Sequence, residues 1–293
     1  MEIVDSQIHE PHGVAPWTFG EESELALNVE LAREAMDCVG TDAALINART
    51  EFCDAAVERY PDRFGTCLMA DLGVSDIETY FSTFRDKPGR LAARVVIRRF
   101  QDGELTPDFL QGRHEPVLAA AERHNVPVFM QAAGHMDRAA EIAQAHPDLV
   151  LIIDHLGLNQ QPAEIGPQPW SDLDNVLALA RFPNVSVKFC GGPTLTRSPY
   201  PYDDIMPYLM RMVTAFTPDR LMWGSDYTRL RIASTGGLAP RSEWYGTYAE
   251  HLHFLLDSNE LSQEDKAKIF GESLRRIVRW PTGTPSPSGA AAG

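Results

Sequence analysis

Two histidines and an aspartate stand just past apolar, strand-like runs that lie far apart in the chain. His9 follows Glu2–Gln7, His155 follows Leu149–Asp154, and Asp226 follows Arg220–Trp223. Imidazoles and carboxylates are the side chains that most often move protons in catalysis. Further polar residues hold equivalent positions: Gln7 ends the first run, Asn47 and Arg49 close the second, Asp71 the third, Arg98 the fourth and Gln131 the fifth, while Lys188 lies within the seventh. Successive strand residues face opposite ways. In the stretch 184–189, Val185, Val187 and Phe189 suit one face, which turns Ser186 and Lys188 inward. The same period sends Asp5, Gln7 and His9 one way and Val4 and Ile8 the other. A lysine inside an apolar interior is costly unless it is paired or functional. His114 and His146 lack such a setting and read as ordinary surface residues.

Arg49, Arg98 and Arg229 or Arg231 also follow strand-like runs. A guanidinium fork binds a carboxylate through two hydrogen bonds. Several such groups in an acidic chain point to a small anionic substrate. Two long segments suit lids or binding loops: Cys190–Asp203, with Tyr200 and Tyr202, and Tyr227–Arg241, which ends near Trp244. Tyr227 joins the substrate-binding candidates, and Trp17 offers an aromatic wall.

These residues need a scaffold that gathers strand ends. Eight strand candidates alternate with helical patterns: Glu2–Gln7, Ala43–Asn47, Phe64–Ala70, Leu91–Ile97, Val126–Gln131, Leu149–Asp154, Val185–Phe189 and Arg220–Trp223. Between and after them, apolar spacing near 3.6 predicts helices over Leu25–Cys38, 52–60, 75–86, 114–124, 136–146, 171–181, 203–216, 243–257 and 262–280, the last capped by Ser262 with Asp265 three residues on. The pattern predicts an α/β fold, a (β/α)8 TIM barrel, whose active sites lie at the carboxyl ends of the strands. A doubly wound sheet would need a Gly-rich phosphate turn after its first strand, and Asp5–Gly13 provides none. The expected organisation is one barrel domain over residues 1–280 and a disordered Pro/Gly/Ser/Ala-rich tail over 281–293.

Composition narrows the classes. The chain has 293 residues, 44% of them hydrophobic, enough for a large core, and a formal net charge of -15. That charge repels nucleic acid and anionic membranes. No apolar run reaches the ~18 residues a membrane span requires, and the opening residues carry no secretion pattern. Cys38, Cys53, Cys67 and Cys190 are scattered without metal-ligand spacing, which suits free thiols in a reducing cytoplasm. A small-molecule substrate is the expected partner, and a homo-oligomer is left open.

Five segments carry a resemblance to the amidohydrolase-related (amidohydrolase 2) family. Asp5-Ser6-Gln7-Ile8-His9 resembles the family's DxHxH opening, and the run 127–134, PVFMQAAG, is similar to its PVxxHxG fifth strand. Asp154-His155-Leu156-Gly157 matches DHxG on the sixth strand, and Trp223-Gly224-Ser225-Asp226 matches the WGSD of the eighth. The closing stretch 269–274 resembles the final helix, with Gly-Glu-Ser for the usual Gly-Asn-Ala. Metal-binding members usually place two histidines on the first strand. Here the first is Gln7, and the expected fifth-strand histidine is Gln131. An amide oxygen is a poor zinc ligand.

The resemblance runs to the family's metal-independent branch, typified by 2-pyrone-4,6-dicarboxylate lactonase. It implies a hydrolase that opens a lactone or ester with no required cofactor. Asp226 would be the base that takes a proton from water, with His155 and His9, helped by Lys188, polarising the carbonyl. Gln7, Asn47, Arg49, Arg98, Gln131, Tyr227 and Arg229 would bind substrate. One alternative is a zinc-dependent hydrolase or nonoxidative decarboxylase with His9, His155 and Asp226 as ligands. Another is a ligand-binding barrel without catalysis.

Overall fold

The computed structural model describes residues 1–11, 21–160, 167–228 and 246–281. Its eight strands are β1 (Val4–Ile8), β2 (Ala43–Ile46), β3 (Phe64–Met69), β4 (Arg90–Val96), β5 (Val128–Gln131), β6 (Leu151–Ile153), β7 (Val185–Cys190) and β8 (Leu221–Gly224). They pair in parallel in sequence order from β1 to β8. Each overlaps one of the expected runs, with β1, β4, β7 and β8 reaching one residue outside it, and the consecutive order excludes a doubly wound sheet, whose order reverses at a switch point. The result is a (β/α)8 barrel.

The intervening helices are α1 (Glu21–Val39), α2 (Thr50–Arg59), α3 (Ile77–Ser82), α4 (Pro107–Leu110), α5 (Glu115–Arg123) and α6 (Met136–Ala145). After β6 come α7 (Leu173–Leu177), α8 (Met206–Phe216), α9 (Tyr248–Leu256), α10 (Gln263–Ala267) and α11 (Ser273–Ile277). The final helix predicted over 262–280 is broken by a π turn at Lys268–Glu272, and Ser262 caps α10 by accepting from Asp265 N at 3.1 Å. No helix among the described residues is long and apolar enough to cross a membrane.

Two apolar layers fill the molecule. Ile8, Ile46, Val95, Met130, Ile153, Val187 and Trp223 pack outward against the helices. Val4, Leu45, Cys67, Ala92, Phe129, Ile152 and Met222 pack with Leu274, Ile277, Val278 and Trp280 of the C-terminal segment. That segment seals the end of the barrel where the strands begin, with Trp280 close beneath Gly65 and Arg275 paired to Glu2. The opposite end is left for the strand termini and their polar groups.

Strand β1 departs from strict alternation. Its register against β2 shifts between Asp5 and Ile8, a bulge. An extra residue reverses the faces beyond it. Val4 therefore packs inside, Asp5 turns to the seam between β1 and β8, and Gln7 and His9 regain the inner face. The expectation that Asp5, Gln7 and His9 share a face is corrected for Asp5. The seam is closed by that carboxylate: Asp5 Oδ1 accepts from Ser225 N and from Gln7 N, both at 2.9 Å, and Oδ2 accepts from Ser225 Oγ at 2.5 Å. Asp226 N adds a bond to Gln7 O at 3.0 Å.

Candidate active site

Close approach at the seam sets the first part of the site. A Cβ on Gly224 would lie 2.5 Å from Ser6 Oγ and 3.3 Å from Gln7 N, so only glycine lets β8 come this near β1. The chain then kinks, with Asp226 at φ 52°, just as His155 and Leu156 take φ 51° and 60° after β6. Left-handed backbone at non-glycine residues is strained and gathers at functional sites. Both kinks occur at the strand ends facing the open mouth.

Gln7, His9 and Asp226 form a triangle there. Gln7 Nε2 donates to Asp226 Oδ1 at 3.1 Å and stands 3.1 Å from His9 Nε2, while His9 Nε2 lies 3.0 Å from Asp226 Oδ1. His9 Nδ1 bonds the backbone carbonyl of Asn47. A carbonyl only accepts, so Nδ1 carries a proton and Nε2 is the nitrogen that exchanges one with Asp226. Burial favours the neutral acid at Asp226, but once His9 carries a second proton its hydrogen bond and charge, with Lys188 beyond, hold the carboxyl well below the usual range.

A second cluster lies beside the triangle. Lys188 Nζ sits 2.6 Å from Asp154 Oδ1, bonds Gln7 Oε1, and rests 5.5 Å above the Phe129 ring. Arg94 Nε donates to Asp154 Oδ2 at 2.7 Å, and its Nη2 lies 3.3 Å from His155 Nε2. With its amide oriented to suit its neighbours, Asn47 Oδ1 accepts from Arg94 Nη1 at 3.0 Å and Nε at 3.2 Å. Burial alone would protonate Asp154, yet the charges of Arg94 and Lys188 keep its carboxyl well below the usual range. Burial and the neighbouring Lys188 charge push the His155 imidazole down to about 3, so the ring is neutral at physiological pH. With Nε2 accepting from Arg94, the neutral ring carries its proton on Nδ1, which has no partner among the described residues.

The expected residues divide accordingly. Gln7, His9, Asn47, His155, Lys188 and Asp226 come together at the mouth. Gln131 ends β5, buried, with Oε1 accepting from Ala133 N at 3.3 Å. Arg98 is buried and donates to Asn159 Oδ1 at 2.9 Å. Arg49 is committed to the buried Glu10 through bonds of 2.6 and 2.7 Å. Tyr227 turns away from the mouth: its ring stacks on Tyr248 of α9 at 4.1 Å, on the layer that holds Trp223. Arg229, Arg231, Trp17, Trp244 and most of the segment Tyr227–Arg241 lie outside the described residues, as does the tail from 282 onward.

The segment after β7 is packed at Gly192–Leu195, which are buried, and at Tyr202, which lies against Phe254, while Tyr200 between them is exposed. His146 is not a surface residue. It is buried between Glu122 at 2.9 Å and Glu115 at 3.2 Å, while His114 is buried against Phe109. Two charged site residues are absent from the sequence reading, Arg94 and Asp154 as its ion-pair partner, and Cys190, named there as a scattered thiol but not as a site residue, lies beside His155 and Asp226. Each was accessible to the alternation argument that turns Lys188 inward, since Arg94 lies two residues beyond the inward Ala92 and Cys190 two beyond Lys188.

The ligand set of the zinc-dependent alternative, His9, His155 and Asp226, does not fit. Gln7 presents amide hydrogens to both His9 Nε2 and Asp226 Oδ1, where a cation would require lone pairs, and the Lys188 ammonium holds the other end of that amide. Another set does assemble. Ligand atoms of His155, Cys190 and Asp226 lie within 4.8 Å of one another.

The chain matches a family model described as Amidohydrolase over residues 21–280. A 4-sulfomuconolactone hydrolase of Rhizobium radiobacter is 35% identical over 77 residues, which is 26% of this chain and 24% of that protein. The chain thus aligns with about a quarter of that curated relative. Among solved structures, a probable 2-pyrone-4,6-dicarboxylic acid hydrolase from Acinetobacter baumannii with citric acid bound superposes with a TM-score of 0.68 at 14% identity, covering 96% of this chain and 100% of that one. An amidohydrolase from Burkholderia multivorans with bound zinc gives 0.71 at 19% identity, with the same coverage. At such identities the superpositions establish the shared fold.

Proposed function

We propose that this chain, which belongs to the amidohydrolase family, hydrolyses a lactone or ester bond of a small carboxylated substrate and needs no metal to do so. The observation that carries this reading is the His9–Asp226 pair, with Nε2 and Oδ1 3.0 Å apart and the Gln7 amide bridging both. In its unprotonated form the pair faces two lone-pair atoms at each other, and only the Gln7 hydrogens relieve the repulsion. A proton taken from water settles between them as a charge-assisted bond. The base is the pair as a unit, so its protonation belongs to both residues.

The resulting hydroxide adds to the acyl carbon. Negative charge gathers on the carbonyl oxygen, where the buried Nδ1–H of neutral His155 and the Lys188 ammonium supply donors. Such preorganised donors contribute on the order of 3–4 kcal/mol each. Collapse breaks the acyl C–O bond, and the leaving oxygen takes back the proton held between His9 and Asp226. The product is a carboxylic acid and a hydroxyl, and in a lactone the ring opens. Esters and lactones are activated enough for these two effects, whereas an amide would call for a Lewis acid.

The carboxylated substrate is supported by relatives whose names specify a sulfomuconolactone and a pyrone dicarboxylic acid. Gln131 and Arg98, at the ends of neighbouring strands, are the candidates to bind it. The test is hydrolysis of a panel of anionic lactones by exhaustively chelated protein. Turnover should survive chelation, and Asp226→Asn should lower kcat by about 10²–10⁴-fold with the fold intact by circular dichroism. Loss of turnover on chelation with recovery on adding zinc would refute the metal-free reading.

A further inference from the structure

We propose that His155, Cys190 and Asp226 form a binding site for a thiophilic divalent cation, and that its occupancy stops the reaction. The inference rests on the metal-free reading above. The three ligand atoms lie within 4.8 Å of one another at the ends of β6, β7 and β8. In a tetrahedron with zinc–sulfur near 2.3 Å and zinc–nitrogen or zinc–oxygen near 2.0 Å, ligand atoms stand roughly 3.5 Å apart. Side-chain movements of about 1 Å would close the set. It draws on no residue of β1, and it needs one oxygen of Asp226 while Gln7 holds only Oδ1.

Two further observations point to a prepared site. His155 is buried, and its Nδ1 has no hydrogen-bond partner among the described residues. Gln160 fixes the two flanking strand ends together, its Nε2 donating to His155 O at 3.1 Å and to Cys190 O at 2.7 Å. The room for this clamp comes from Gly191, where a Cβ would lie 1.9 Å from Gln160 Oε1. Two ligands are thereby held at fixed separation by a residue that is not itself a ligand.

Binding is balanced by one proton. The Cys190 thiol releases it to solvent on forming the metal–sulfur bond, as coordinated thiols do. His155 moves its ring proton from Nδ1 to Nε2, giving up the bond from Arg94, and so offers the Nδ1 lone pair, while Asp226 gives a carboxylate oxygen. The cation therefore removes the His155 proton donor and half of the His9–Asp226 base together. Cys190 is the one ligand with no part in the hydrolysis.

The experiment uses the full chain with Cys38→Ser as background, because Cys38 is the exposed thiol. Cadmium is titrated while the ultraviolet thiolate-to-cadmium charge-transfer band is followed, and hydrolysis is measured in parallel. We expect one equivalent to produce the band and abolish turnover at the same midpoint. Adding Cys190→Ser should remove the band, weaken cadmium binding by at least about 100-fold, and leave metal-free turnover in place. A band unchanged by Cys190→Ser, or no band, would overturn the site while leaving the hydrolytic reading untouched. A band that accompanies rising turnover would overturn the inhibitory role, and turnover absent until metal is added would overturn the metal-free reading itself.

Discussion

Replacing Asp5 by asparagine should make the protein more stable at neutral pH, although the residue lies in the motif that opens the barrel. Asp5 is fully buried at the seam between β1 and β8. Burial raises its carboxyl from 3.8 to about 6, against the lowering effect of bonds from Ser225 and Gln7. A folded value above the unfolded one means that the native state holds the proton more tightly. The associated stability is complete below about pH 3.8 and is lost as the pH rises through about 6. At about 1.4 kcal/mol per pH unit the displacement corresponds to about 3 kcal/mol, of which about 2 kcal/mol falls between pH 4.5 and 7.5.

Asparagine keeps the geometry. Its Oδ1 can accept from Ser225 N and Gln7 N as the aspartate Oδ1 does, and the Ser225 hydroxyl can rotate to accept from Nδ2. Urea unfolding of both proteins at about pH 4.5 and pH 7.5 is the assay. The stability difference, variant minus wild type, should grow by about 2 kcal/mol toward the higher pH, or about 4–8 °C in Tm, with kcat little changed. A difference that is flat with pH, or that moves against the variant at pH 7.5, would show that Asp5 is not a carboxyl forced toward neutrality by burial.

Other perturbations read different parts of the molecule. Lys188→Met leaves Asp154 with Arg94 as its remaining charge partner, so thermal unfolding should register a loss near the lower end of what breaking a buried pair costs, about 3 kcal/mol. A variant as stable as wild type would mean that the ammonium is dispensable to the core. His155, held down to about 3, contributes stability above its ordinary 6.5 that is lost as pH falls from 6.5 through about 3. Its ring resonances should therefore stay fixed between about pH 5 and 8 in an NMR titration, and a midpoint near 6.5 would remove the neutral donor from the mechanism. Tyr227→Phe deletes a buried hydroxyl that has no partner among the described residues while keeping the stack on Tyr248. Stability should hold or rise by about 1 kcal/mol with turnover unchanged, and a tenfold fall in kcat would bring that hydroxyl back to the substrate.

The barrel is legible in the sequence because its strands are short, apolar and buried on both faces, a pattern that survives without knowledge of their partners. Lys188 stands out for the opposite reason, since a charge at an inward position of such a run must be answered by another. Arg94 obeys the same logic inside Leu91–Ile97, alternating inward with Ala92, and its counter-ion Asp154 stands in plain view before His155. The pairing is still not readable, because it joins β4 to the end of β6, and no local spacing encodes which inward charges meet.

Asp5 eludes alternation for a different reason. Period-two counting assumes an unbroken ladder, and the bulge between Asp5 and Ile8 inserts one residue that reverses every face before it. Nothing in Val-Asp-Ser-Gln-Ile marks a bulge locally. It goes with tertiary contacts: the ladder runs from β1 round to β8, where the Asp5 side chain reaches across to Ser225 beside the backbone bond from Asp226 N to Gln7 O. The bulge that frees Asp5 for that bridge also sets Gln7 against both His9 and Asp226. Closing the barrel and orienting the proton-accepting pair are therefore one structural event, and the residue that decides both is the one whose direction the sequence pattern misassigns.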